Sequence, residues 1–381
     1  MSAYRFDVER IKSSRSADAA LVSSILLLTG FGLVTLYSAS FAFAERFFGD
    51  GSYFLAKQAL FAGFGLAVFV VASRVDLEWL RRFVKPLVYF SFMLCVLAFV
   101  PGIGVTKNGA SRWISLGPMT YQPSELVKLV VPLYLAHLFD KKRERLDDAS
   151  SSVIPPAIVI AGFCLVIYLQ NNFSTAAFIG ANALAVFYLA GIRGRHFFAV
   201  AASALPLAVL MIFSKEYRVR RILSFIRPEE DPHGAGYQVR ASIDAIASGG
   251  FWGKGLGQGT RKISSVPEIH SDFIFSAFAE EAGFIGVLLF FALLALFTVR
   301  GYRGAVRARS EFKRLFALAL VTMIASQALL NIAVVIGAVP ATGVPLPFFS
   351  AGGSSLATTL LAAGLIVNVS RPDRVPEALD V

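Results

Sequence analysis

Residues able to do chemistry sit in this chain where an apolar sequence has least use for them. In SVPEIHSDFIFSAFAEEAG, residues 265–283, an apolar run is preceded by Glu268, His270 and Asp272 and interrupted by Glu280 and Glu281. A carboxylate at the mouth of an apolar helix can take a proton from a hydroxyl, although an aspartate there also suits a helix cap. Glu125 and Lys128 are spaced i, i+3 on one helix face, either as a pair that eases burial or as a lysine offered to a phosphate. Arg112 and Trp113 lie in a Gly-rich turn, and Lys254, Arg261 and Lys262 in another, GGFWGKGLGQGTRK. Flexible backbone with cations of this kind can approach an anion. The second turn lacks the glycine and Gly-Lys-Ser/Thr order of a nucleotide loop. Ser350, Ser354 and Ser355 offer hydrogen bonds in VPATGVPLPFFSAGGSS, 339–355, whose prolines and glycines forbid a continuous helix. Glu280 lies eight residues past Asp272, so a helix returns it close to the same face, as support for one groove or as partner of a cation elsewhere. His233 and His270 are too far apart to define a metal site, His137 and His196 read as interfacial, and Cys95 and Cys164 read as small apolar side chains.

These residues need elements to position them, and composition says which. Of 381 residues 56% are hydrophobic and 16% charged, against about 25% charged in soluble domains. Mean hydropathy is +0.65. Ten apolar stretches, at 19–43, 53–73, 84–100, 123–139, 152–169, 173–192, 196–214, 273–299, 313–337 and 353–370, are each expected to cross a bilayer core about 30 Å thick. Pro123 suits the first turn of the fourth. The expected fold is all-α: one polytopic ten-helix domain over 19–370, between cytoplasmic segments 1–18 and 371–381, with one large extracytoplasmic loop, 215–272, between helices seven and eight. The apolar run before SASFAFA is too long for a signal-peptide core, so the first span is expected to stay as an anchor.

The formal charge of +11 takes its meaning from location. With the N-terminus inside, alternate loops carry Arg74, Arg81, Arg82 and Lys85; Lys141, Lys142, Arg143 and Arg145; and Arg300 to Arg314. The short outer loops carry only Arg46, Lys107 and Arg112, with Lys57 near a helix start, which is the positive-inside asymmetry. Basicity therefore reads as orientation and contact with anionic lipids, not as nucleic-acid binding. On this topology the three segments unlike plain membrane helix, 104–128, 215–272 and 339–355, all emerge on the outer face, which predicts one extracytoplasmic site.

GASRWISLGPMTYQPSELVK, DPHGAGYQ with GGFWGKGLGQG, VPEIHSDFIFSAFAEE and ATGVPLPFFSAGGSS resemble, in order, the signature segments of the SEDS family (FtsW, RodA and SpoVE). The resemblance runs from about residue 20 to 370 and includes ten spans. YSAS, YFLAKQ and GYQVRASIDAIASGG are closer to the division branch, TGVPLPFFSAGGSS to the elongation branch. The resemblance implies a peptidoglycan glycosyltransferase that polymerises lipid II, an undecaprenyl-pyrophosphate-linked disaccharide pentapeptide, beside a class B penicillin-binding protein and other divisome proteins. It puts the essential aspartate at Asp272 and the Glu/Lys pair of span four at Glu125 and Lys128. Where many relatives read Gln-Pro-Asp, this chain has Gln170, Asn171 and Asn172, so an acid's role there does not carry over.

In that reading Asp272 is the general base, and Lys128, Arg112, Lys254, Arg261 and Lys262 are the candidates to stabilise the leaving pyrophosphate, with Mg2+ or another divalent ion as a possible helper. A lipid II flippase fits ten broken and charged helices too, but the unusual residues gather on one face and no inverted repeat is evident. A passive scaffold leaves the acids without a task.

Overall fold

A computed structural model of the chain describes residues 17–107, 109–117, 119–227, 231, 234–259 and 271–371. The helices are α1 (Ala19–Phe48), α2 (Tyr53–Ala72), α3 (Leu77–Arg82), α4 (Val84–Leu97), α5 (Pro123–Lys141), α6 (Ala149–Ser152), α7 (Ile154–Leu169), α8 (Phe173–Leu189) and α9 (Gly194–Phe213). They continue with α10 (Glu216–Ile226), α11 (Ala235–Gly249), α12 (Ile274–Val306), α13 (Glu311–Val335) and α14 (Gly353–Ser370).

Seven helical runs among the described residues are long and apolar enough to cross a membrane: α1, α2, α6–α7, α9, α12, α13 and α14. The chain is a multi-pass membrane protein. Three more helices coincide with the remaining predicted spans. α4 and α8 are apolar but short, and α5 carries Glu125, Lys128, Asp140 and Lys141. Local chemistry sets the ends. Asp18 caps α1 by accepting from Leu21 N at 3.1 Å, and α5 begins on Pro123, whose missing N–H is surplus in a first turn.

α13 and α14 run through the middle of the bundle, and α2 lies against α14. At Gly364 a side-chain carbon would sit 2.6 Å from the Phe69 carbonyl oxygen, so only glycine lets these two helices approach so closely. At the other extreme, α9 has no buried residue.

The all-α expectation is corrected between α4 and α5. Strands β1 (Gly104–Lys107), β2 (Ala110–Leu116) and β3 (Met119–Tyr121) form an antiparallel sheet with β2 central, pairing Val105 with Trp113 and Ile114 with Tyr121. Turn glycines separate β-branched and aromatic residues here, and the helical period stops, which ends the third span at Leu97 instead of residue 100. Among its described residues the expected long loop, 215–272, holds two helices, α10 and α11. α10 is amphipathic, with Val219, Ile222, Leu223 and Ile226 at helical spacing.

The eighth span is not a continuous helix either. α12 is broken at Gly283, whose φ of 63° and ψ of −167° leave helical space. The break is repaired from outside. Lys254 N and Gly255 N donate to the carbonyls of Glu280 and Glu281 at 3.0 Å each, while Phe284 N donates to Gly250 O at 3.0 Å. The Gly-rich turn after α11 thus supplies the bonds that the broken helix cannot make for itself, as a low-dielectric surrounding demands. A side chain at Gly253 would overlap the Glu281 carbonyl, and Gly253 itself has φ of +78°.

Candidate functional site

A cavity of about 900 Å³ lies where four segments meet at the end of the bundle that the charge pattern assigns to the outside. The β1–β2 hairpin contributes Arg112 and Trp113, the α7–α8 turn Asn171 and Asn172, the start of α10 Tyr217 and Arg221, and the segment after α13 Thr342 and Gly343. Asp272 opens onto the same space.

Asp272 precedes α12 by two residues. The N-cap position belongs to Phe273, so the capping role that an aspartate could have taken is not the one it has. Its backbone is fixed by Asn331 of α13, whose Nδ2 donates to Asp272 O at 3.0 Å and to Val344 O at 2.9 Å. One buried amide thereby holds the aspartate's main chain beside the 339–352 segment. The carboxylate oxygen Oδ2 lies 3.8 Å from where a side-chain carbon on Gly343 would be.

That non-helical segment is held by three buried carboxamides. Gln58 of α2 donates to Ser350 O at 3.0 Å and accepts from Gly352 N at 3.2 Å; Gln327 of α13 donates to Pro345 O at 2.8 Å; Asn331 completes the set. Such bonds satisfy irregular backbone at membrane depth. Phe348 is kept at φ of 68°, a conformation costly for a bulky residue unless its surroundings impose it. Ser350 Oγ accepts from Leu346 N at 2.8 Å and does not line the cavity, so this serine shapes the turn, whereas Ser354 and Ser355 face the cavity.

Lys128 takes a different part from the one expected of a phosphate ligand. It is 5% exposed, 2.8 Å from Glu125 Oε2, and donates to Gln327 Oε1 at 3.0 Å. It does not line the large cavity. Glu125 and Lys128 orient Gln327, and Gln327 holds Pro345: the pair buttresses the loop that faces Asp272.

Lys254 and Glu280 are also away from the cavity. Lys254 Nζ meets Glu280 Oε1 at 2.6 Å, and Ser38 of α1 donates to Glu281 Oε1 at 2.6 Å. Both acids brace the clip over the Gly283 break, so Glu280 follows the ion-pair reading. Glu268, His270, Arg261 and Lys262 lie outside the described residues.

Among the described residues, Arg112 is the predicted cation that reaches the cavity. Its Nη2 donates to Asn171 O at 2.5 Å, and Asn171 Nδ2 donates back to Gly109 O at 2.8 Å, tying hairpin to turn. Burial lowers the Arg112 pKa from its ordinary value, with Arg221 and Arg218 adding to that and Tyr217 and Asp272 opposing it. An arginine remains protonated through such a shift. Lys107 and Arg112 approach the Trp113 ring at 5.4 and 5.9 Å.

Lys215, Arg218 and Arg221, within the segment expected to be loop, also line the cavity. The period of α10 was the available signal. The lining therefore sets five cations, those three with Lys107 and Arg112, against one carboxylate, Asp272, among the described residues. A resident divalent ion calls for several oxygen ligands. No group of three metal-ligating side chains occurs among the described residues, and this donor set does not fit such an ion.

Comparisons with known proteins agree with this architecture. The model of the cell cycle protein family FtsW/RodA/SpoVE matches residues 19–375. A probable peptidoglycan glycosyltransferase FtsW of Geobacter sulfurreducens is 38% identical over 94% of this chain and 96% of its own. Stage V sporulation protein E of Bacillus subtilis is 37% identical over 94% and 98%. Among solved structures, a chain of a peptidoglycan synthase complex superposes with a TM-score of 0.78 at 28% identity, covering 93% of this chain and 98% of that one. The rod shape determining protein RodA of Thermus thermophilus gives 0.69 at 27%, covering 93% and 97%. With its site assembled from the same ordered segments that carry the resemblance, the chain belongs to the FtsW/RodA/SpoVE family of cell cycle proteins.

Proposed function

We propose that this protein is a peptidoglycan glycosyltransferase that polymerises lipid II on the outer face of the cytoplasmic membrane, with Asp272 as general base. The observation that carries the reading is that, among the described residues, one carboxylate lines a strongly cationic cavity, in a chain so similar to named glycosyltransferases. In this reading the chain has ten spans with both termini inside, and the cavity belongs at the outer headgroup level.

Polymerisation joins an acceptor sugar hydroxyl to an anomeric carbon that carries a diphosphate. Asp272 accepts the hydroxyl proton as the new C–O bond forms, a contribution worth roughly 10²–10⁴-fold. The anomeric carbon–oxygen bond breaks and its electrons leave with the prenyl diphosphate, whose charge the cavity's cations stabilise. Direct displacement turns an α-linked donor into a β-linked product. Asn331, Gln327 and the Glu125–Lys128 pair hold the geometry without touching the reacting atoms.

The relatives named FtsW favour septal wall synthesis during division over the elongation role of RodA. A class B penicillin-binding protein is the expected partner, since a structural neighbour belongs to a complex that coordinates polymerization and crosslinking. The test is purified protein, with its cognate transpeptidase, given labelled lipid II. Wild type is expected to yield glycan chains, and Asp272→Asn at least a hundredfold less at unchanged folding. Normal polymer from Asp272→Asn removes the base, and translocation without polymer turns the reading toward a transporter. Fluorescent protein at midcell supports the division branch; signal along the sidewall supports elongation.

A further inference from the structure

We propose that the inward face of α10 forms a subsite for a prenyl-linked diphosphate. The inference rests on the polymerase reading and specifies where its leaving group is held. Tyr217, Arg218, Arg221 and Ile222 line the cavity at i, i+1, i+4 and i+5, one face of the helix, with Lys215 just before it.

Arg218 is the anchor of this face, not its ligand. It is 5% exposed, donates to Met211 O at 2.6 Å and lies 4.4 Å from the Tyr168 ring centroid and 5.5 Å from that of Phe173. Those contacts fix α10 to the ends of α7, α8 and α9. Lys215 and Arg221 are exposed to the cavity, and Arg221 reaches across it toward Ala341 O at 3.5 Å.

The opposite walls present donors. Asn172 is 4% exposed, and its Nδ2 has no hydrogen-bond partner among the described residues; the same holds for Arg112 Nε and Thr342 Oγ1. All three residues line the cavity. Buried donors are ordinarily satisfied, so three facing one space point to a ligand rich in acceptor oxygens. Converging cations require it to be anionic. A single phosphate or carboxylate would leave most of the cationic surplus uncompensated, whereas a diphosphate offers two to three charges on oxygens pointing in several directions. Amide, guanidinium and hydroxyl would take oxygens on one side, Lys215 and Arg221 those on the other.

The experiment measures binding of farnesyl diphosphate, which carries no sugar, to the full chain in detergent or nanodiscs. Farnesyl monophosphate and inorganic pyrophosphate are run beside it. Wild type is expected to prefer farnesyl diphosphate to the monophosphate, and to bind it less tightly as salt rises. Lys215→Gln/Arg221→Gln is expected to weaken binding roughly tenfold or more, as loss of charge-assisted bonds does. Arg220→Gln removes one positive charge, half the change of the double variant, from the outward face, where Arg220 pairs with Glu216 at 2.6 Å, and is expected to bind as wild type. Asp272→Asn, which removes the base, is expected to keep binding. Equal loss in Arg220→Gln, equal affinity for the monophosphate, or unchanged binding by the Lys215/Arg221 variant at native melting temperature overturns the subsite. Tight inorganic pyrophosphate binding that needs the same two residues supports the diphosphate site and shows that the lipid chain adds little. Absence of glycan synthesis with α10-dependent farnesyl diphosphate binding would reject the polymerase while leaving the subsite standing.

Discussion

At the scale of single residues, buried polar groups here do two different jobs. Asp272 faces a cavity, whereas Glu125, Lys128, Gln58, Gln327 and Asn331 are spent on holding backbone. Spacing of Glu125 and Lys128 told that they would pair; it could not tell that the lysine would then be sealed from the cavity by Gln327. The distinction has a measurable consequence. Lys128→Met leaves Glu125 buried without its cation and is expected to cost about 3–5 kcal/mol of stability. The double variant Glu125→Gln/Lys128→Met is expected to recover much of it, seen as a melting temperature in detergent, with activity returning in parallel. Stability restored with polymerisation still absent would instead make Lys128 a ligand of the substrate.

At the scale of elements, what was legible followed periodicity. Long apolar runs gave helix positions to within a few residues because a bilayer rewards length and hydrophobicity alone. The β1–β3 sheet, the helices inside 215–272 and the break at Gly283 were lost to that reading, because each depends on partners distant in sequence. Nothing in EEAGFIG foretells that turn 249–257 will dock there, and nothing in GGFWGKGLGQG foretells a broken helix instead of an anion. The clip yields its own expectation. Gly253→Ala forces a side chain into the Glu281 carbonyl at positive φ, a local cost of roughly 1–3 kcal/mol. Hydrogen exchange should then lose protection at Lys254 and Gly255. Because α12 carries Asp272 at its head, polymerisation should fall with it. Unchanged protection at both amides would show that the clip does not depend on glycine at 253.

At the scale of the whole molecule, the convergence of the three unusual segments was legible before any coordinates, since lysines and arginines alone sorted them to one expected side. Which members of each segment face inward was not, because a loop's side chains obey no period. The sorting predicts accessibility. A cysteine at Leu116, 60% exposed beyond β2, should react with a membrane-impermeant maleimide in intact cells with a permeabilised outer layer. One at Arg307, in the α12–α13 connection, should react only once the inner membrane is opened. Of the two native cysteines Cys95 is buried and Cys164 is half-buried within α7, so the parent for this labelling carries Cys164→Ala. The reverse pattern would invert the topology, and labelling of both positions from one side would overturn the number of spans between them.

The helix with no buried residue carries a consequence for how this sequence can change over time. α14 is locked by glycines and neighbours into one spelling, but α9 answers chiefly to the oil around it. Its letters can be exchanged among Leu, Ile, Val, Phe and Met with little penalty, provided the stretch stays greasy and Ile212 keeps its place at the cavity wall. Drift should therefore be fastest along α9, where the protein is defined by its solvent more than by itself.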